Sequence, residues 1–86
     1  MISENKDQLM QRIQFMERSA ALNDKEYLRN KNQYDQVFGK VKDMIDKGEI
    51  LSYLEVDSAY YYLLEKIKEG SENLDKHAEE IRNFII

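Results

Sequence analysis

His77 is the one histidine in the chain, and Glu80 follows it by three residues, a spacing that sets the two on one face of a helix. Such a pair could hold a metal ion or relay a proton. A helical di-metal cage, however, draws Glu-x-x-His from each of two helices and further carboxylates besides, and that pattern is missing. His77 is therefore expected as a solvated residue on the flank of its helix. Glu79 and Glu80 are neighbours, so their side chains diverge by about 100° and make a poor paired acid and base. Ser3, Ser19, Ser52, Ser58 and Ser71 lack the context of a nucleophile elbow, and with a single histidine a hydrolytic triad would have to assemble by chance. No glycine loop of either common phosphate-cradling type occurs, and the absence of cysteine removes thiolate nucleophiles, disulfides and Cys-based zinc sites. The expectation is a chain without catalytic residues, cofactor, metal or small-molecule substrate: not an enzyme.

One further stretch could do chemistry of another kind. KNQYDQVFGKVK, Lys31–Lys42, interleaves basic and aromatic residues and could be proposed as a nucleic-acid strip. Tyr34, Phe38 and Val41, however, share an apolar stripe at helical spacing, and Asp35 offsets part of the charge. The formal charge of −4 is also unevenly spread. Residues 1–48 hold 9 Lys+Arg against 8 Asp+Glu, a net +1, and residues 49–86 hold 4 against 9, a net −5. Phosphate backbones are bound by clustered positive charge, so nucleic acid is an unlikely partner, and a small regulator using Lys31–Lys42 is the alternative reading. An acidic second half would steer the chain towards a basic protein partner.

These residues must be positioned by helices. Proline is absent over 86 residues and glycine occurs three times. The first helix is expected to start after Ser3 or Asn5 and to run to about Leu22, with a stripe of Leu9, Ile13, Met16 and Ala20. NDKE then reads as a capping box, Asn23 at the N-cap and Glu26 three residues on, opening a second helix whose broad face holds Tyr27, Tyr34, Val37, Phe38, Val41, Met44 and Ile45. It should stop at Lys47 and Gly48, with Gly39 on its wet side. Glu49 to Glu69 reads as a third helix ended by Gly70, or as two if Asp57 and Ser58 cap a fresh one. Ser71 caps a fourth, with a stripe of Leu74, Ala78, Ile81 and Ile85, and the apolar ending NFII is expected to be docked. The fold class is all-α: one domain over residues 1–86, a small four-helix bundle or antiparallel helical hairpin array. The hydrophobic content of 42% suffices for a core, while 35% charged residues and a mean hydropathy of −0.76 describe a solvated exterior. No apolar run approaches the roughly 20 residues that span a bilayer, and MISENKDQLM lacks a secretory signal, so no membrane partner and a cytoplasmic address are expected.

Three consecutive tyrosines, Tyr60, Tyr61 and Tyr62, cannot all face one interior, since successive helical residues are about 100° apart. With Tyr60 at the centre, Tyr53, Val56, Leu63, Leu64 and Ile67 share its face, and Tyr61 joins Ile50 and Leu54 on one shoulder. Tyr62 and Leu51 point to the reverse, about 180–200° away. In the first helix Phe15 and Leu22 stand about 180–200° from Ile13. Phe15, Leu22, Leu51, Tyr61 and Tyr62 are therefore the candidate protein-interface residues, and self-association into a homo-oligomer is the simplest form of that contact. A core this small has no disulfide to staple it, and a partner subunit is a further source of stability.

ILSYLEVDSAYYYLLEKI, residues 50–67, resembles the closing helix of the YlbF/YmcA-type bacterial regulatory proteins in its Tyr53-Leu54 pair, its Leu63-Leu64 pair and Ile67. The resemblance implies a helical, self-associating accessory protein without catalysis. It covers those residues alone, and this chain adds a helix where that family ends, so it does not assign the chain to the family. A Lys-, Asn-, Ile- and Tyr-rich composition is common in small proteins of AT-rich bacterial and phage genomes. The function expected is a non-catalytic interaction module: an adaptor, chaperone-like escort, inhibitor or assembly subunit.

Overall fold

A computed structural model describes residues 4–85, and it shows a small all-α bundle of five helices among them. Helix α1, Lys6–Asn23, opens with a capping box: Asn5 Oδ1 accepts from the Gln8 N–H (2.9 Å) and Gln8 Oε1 from the Asn5 N–H (3.0 Å). The other candidate start, Ser3, lies outside the described residues. Leu9, Ile13 and Ala20 are buried, with Met16 packed partly against them.

The expected second helix is divided. Asn23 is the last residue of α1, and the cap is Asp24, whose carboxylate accepts from the N–H groups of Glu26 (2.9 Å) and Tyr27 (3.4 Å). Helix α2, Lys25–Arg29, ends after barely a turn because Asn30 leaves helical geometry and its amide Nδ2 donates back to the Glu26 carbonyl (3.2 Å). The bend folds Tyr27 edge-on to Tyr34, with ring centroids 5.5 Å apart. Helix α3, Lys31–Asp46, then buries Tyr34, Val37, Phe38, Val41, Met44 and Ile45. It stops as the sequence predicts: Gly48 takes φ 76°, and the N–H groups of Gly48 and Glu49 close on the carbonyls of Ile45 and Met44.

Helix α4, Tyr53–Lys68, is continuous through Asp57 and Ser58 but begins later than Glu49, capped by Ser52 (Glu55 N–H to Oγ, 3.2 Å). Residues 49–52 form the connection, in which Ile50 is fully buried. Tyr53, expected in the core, is instead exposed, because Ile50 occupies the interior and the buried face begins one turn later at Val56. Gly70, at φ 96°, ends the helix in the same manner as Gly48. Helix α5, Leu74–Ile85, is capped by Asn73 rather than Ser71, Asn73 Oδ1 accepting from the Lys76 N–H (3.0 Å). Leu74, Ala78 and Ile81 are buried, as expected. The chain end is not docked at Phe84, which is exposed and touches the edge of Tyr62; the side chains of Ile85 and Ile86 lie outside the described residues.

α1, α3 and α4 pack on one another, and α5 packs on α3 and α4 without reaching α1. Lys6 at the start of α1 donates to the Asp46 carbonyl at the end of α3 (2.6 Å), so these two helices are antiparallel. The result is a slab of 38 × 27 × 16 Å, centred on Phe38 stacked against Tyr60 at 5.0 Å and 15°. No described helix is long and apolar enough to cross a membrane.

The two glycines of α3 and its end separate helix propensity from backbone geometry. Gly39 is exposed in mid-helix and a Cβ there meets nothing within 4 Å, as is also true of Gly48, where φ is positive. Gly39→Ala is expected to raise stability by about 0.5–1 kcal/mol and Gly48→Ala to lower it by about 1 kcal/mol, read as opposite shifts of the urea midpoint.

Candidate interaction surface

On α1 the buried face runs through Ile13, and Phe15 is turned about 160° from it. On α4, Tyr60 faces the core and Tyr61 is turned about 100° away. The two helices lie side by side, so both turns bring large rings to the same side of the slab. Phe15 and Tyr61 line one groove between α1 and α4, about 550 Å³ in volume, and remain 59% and 62% exposed. Leu22 stands two turns beyond Phe15 and Leu54 two turns before Tyr61, 82% and 76% exposed, so each helix repeats an i, i+7 apolar pair on this side.

A fork joins the two helices beside the groove. Arg12 donates from Nε to Asp57 Oδ1 (2.9 Å) and from Nη2 to Oδ2 (2.6 Å), fixing α1 against α4 in register. The Asp57 carboxylate, through its hydrogen bond and charge, raises the Arg12 guanidinium above its ordinary value, so the guanidinium stays charged. At the other end Asp24 caps α2 and accepts from the Tyr34 hydroxyl (3.3 Å). Burial, with the nearby carboxylates of Asp24 and Glu26, pushes that phenol up to about 12. Arg12 at one end, Phe15 and Met16 between, and Lys25 and Lys68 at the other define a groove along which α1 and α4 run in the same direction.

The five interface candidates separate in three dimensions. Phe15 and Tyr61 are brought together, and Leu22 projects on the same side. Leu51 is exposed but sits on the connection before α4, outside the groove, because the helix that would have set its angle starts at Tyr53. Tyr62 is not on a free surface: α5 covers it, and it packs partly against the core. Its reverse position on the helix is occupied by the fifth helix rather than by solvent. Leu54, expected on a shoulder of the core face, is exposed; its i, i+7 spacing from Tyr61 is the signal that places it here.

His77 is also placed differently from the sequence expectation. It is buried, with Nε2 2.7 Å from Ser71 Oγ and Nδ1 2.6 Å from Glu80 Oε1, and Glu80 Oε2 accepts from the Tyr62 hydroxyl (2.7 Å). The order Ser71, His77, Glu80 is that of a nucleophile, base and orienting acid. Ser71 Oγ, however, also accepts from the Asn73 N–H (3.4 Å), and the 380 Å³ groove beside it, between α3 and the start of α5, is lined by neither Ser71 nor His77. The relay fastens α5 to α4. No cluster of three or more metal-ligating side chains occurs among the described residues.

The basic residues of Lys31–Lys42 are partly engaged within the chain. Lys40 pairs with Asp75 of α5, and Lys42 with Glu17 of α1 at 2.8 Å. Tyr34, Phe38 and Val41 between them are buried.

The chain matches no protein-family model, no curated protein and no solved structure, and the resemblance in residues 50–67 brings no family with it.

The Tyr62 hydroxyl and the His77 ring hold the Glu80 carboxyl below its ordinary 4.5. A depressed folded value means that its contribution to stability is complete above the unfolded value and is lost as pH falls through the folded one. Glu80→Gln should therefore shrink the loss of urea midpoint between about pH 6 and about pH 3; a loss equal to that of the unsubstituted protein would remove the relay from the account. Tyr62→Asp, which sets a second carboxylate against Glu80, should lower stability rather than act as a surface change.

Proposed function

We propose that this chain is a non-catalytic protein–protein interaction module, of the adaptor, escort, inhibitor or assembly-subunit kind, and that it binds through the side shared by α1 and α4. The observation that carries the reading is the pairing of Phe15 and Tyr61 on one groove, with Leu22 and Leu54 extending it along each helix. Scattered exposed hydrophobes are ordinary on a small protein. Four large ones on the same side of two adjacent helices form a patch, and aromatic residues in such patches are favoured at protein contacts.

The chemistry of the patch also supports a protein ligand. Aromatic rings bury much area while losing few rotatable bonds, so Phe15 and Tyr61 are suited to anchor a partner. Arg12, which lines the groove with them, is already matched by Asp57. A phosphate backbone approaching this side would find few uncommitted cations and an adjacent carboxylate, Glu65.

Phe15→Asp and Tyr61→Asp should each weaken association at least about tenfold, in the range of central aromatic anchors, while far-UV helicity and the urea midpoint stay near those of the unsubstituted protein. Binding measured by sedimentation or calorimetry should survive or tighten at raised salt, as apolar contacts do. Affinity that collapses with salt and is indifferent to both substitutions would favour the nucleic-acid alternative instead.

A further inference from the structure

The side chains that rim the α1/α4 side are self-complementary. Resting on the reading of that side as a binding surface, we infer that its occupant is a second copy of this chain, related by a two-fold axis that runs along the helices.

The charges direct the choice. Arg18 flanks Phe15 and Leu22 on α1, three residues after one and four before the other, and it is exposed. Glu65 follows Tyr61 by one turn on α4 and lines the groove, and it is exposed too. Neither is in an ion pair among the described residues, whereas Arg12, Asp57 and Lys68 nearby are all matched. α1 and α4 run in the same direction, with Arg12 level with Asp57. On that register, at about 1.5 Å per residue, Arg18 and Glu65 differ in height by only about 3 Å, within reach of two long side chains.

A two-fold axis along the helices lays α1 of each copy over α4 of the other at equal height. Phe15 then meets the partner's Tyr61, and Arg18 meets the partner's Glu65, twice by symmetry. A two-fold axis across the helices would instead lay α1 on α1. It would bring the two Arg18 side chains towards each other at the centre of the patch, where like charges oppose association.

The area is sufficient for a weak dimer. Taking about 150–250 Å² for a large side chain, the exposed fractions of Phe15, Leu22, Leu54 and Tyr61 amount to roughly 400–700 Å² per copy. Two copies bury roughly 800–1,400 Å², a range that brackets the threshold of about 1,000 Å² for a specific interface and belongs with weak association.

Sedimentation equilibrium on the purified chain tests this with four proteins besides the unsubstituted one: Phe15→Asp, Arg18→Glu, Glu65→Arg and the double charge reversal. The unsubstituted chain should dimerise at micromolar concentration and Phe15→Asp should abolish the dimer. Each single reversal should weaken it about fivefold to tenfold, because two symmetric pairs turn repulsive, and the double reversal should restore it to within about threefold. A chain that stays monomeric overturns the second copy as occupant. Dimers that vanish with Phe15→Asp yet ignore the charge reversals overturn the two-fold arrangement and leave the side as a binding surface. Dimers indifferent to Phe15→Asp overturn both.

Discussion

The stack of Phe38 on Tyr60 sets the rotation of α4, and most of the surface follows from it. Once Tyr60 is held flat against α3, the 100° step of the helix leaves no freedom for its neighbours. Tyr61 turns towards α1 and the groove, still touching Tyr60 edge-on at 5.0 Å, and Tyr62 turns towards α5. The same rotation brings Asp57 to Arg12 and buries Val56, Ala59, Leu63 and Ile67. Three identical side chains thus acquire three roles, core, groove wall and hydrogen-bonded flank, from a single packing contact.

Electrostatics then locks the slab laterally. The acidic excess of residues 49–86 does not remain a diffuse field. Asp57 is bound by Arg12 of α1, Asp75 by Lys40 of α3, and Glu49 by Arg82 of α5. Lys42 reaches Glu17 and Lys68 reaches Glu26, so charge complementarity ties every helix to another. Partly exposed pairs of this kind each contribute modestly to stability, but they fix register. They also draw off charge that a reading of net balance assigns to outside partners. Steering by the acidic half loses force for this reason, and the uncommitted Arg18 and Glu65 gain it.

Much of this was legible. The helix start at Asn5, one of two candidates, the glycine stops at Gly48 and Gly70, and the buried stripes of α1, α3 and α5 are local signals, written within a few residues of where they act. Phe15 and Leu22 were legible as misfits on their helix, whereas Tyr61 was legible only as lying on a shoulder of the core face. The breaks between sequence and structure occur where two local signals compete. Asn23 and Asp24 both suit a cap, and the carboxylate that also serves Tyr34 prevails. Asn30 interrupts a pattern that is periodic on either side, because its amide bonds backwards instead of continuing the helix.

The sequence by itself determined that this chain is all-helical, where most helices end, and that certain rings could not share the interior of their own helix. Those facts depend on periodicity and on capping, which act over one or two turns. Only the tertiary structure decided what stands against each reverse face. α5 covers Tyr62 and draws His77 into a buried relay with Ser71 and Glu80, while Phe15, Leu54 and Tyr61 are left exposed among the described residues. A helical wheel gives the direction of a side chain, but whether that direction ends in solvent or in another helix depends on contacts between residues distant in sequence, which periodicity does not encode.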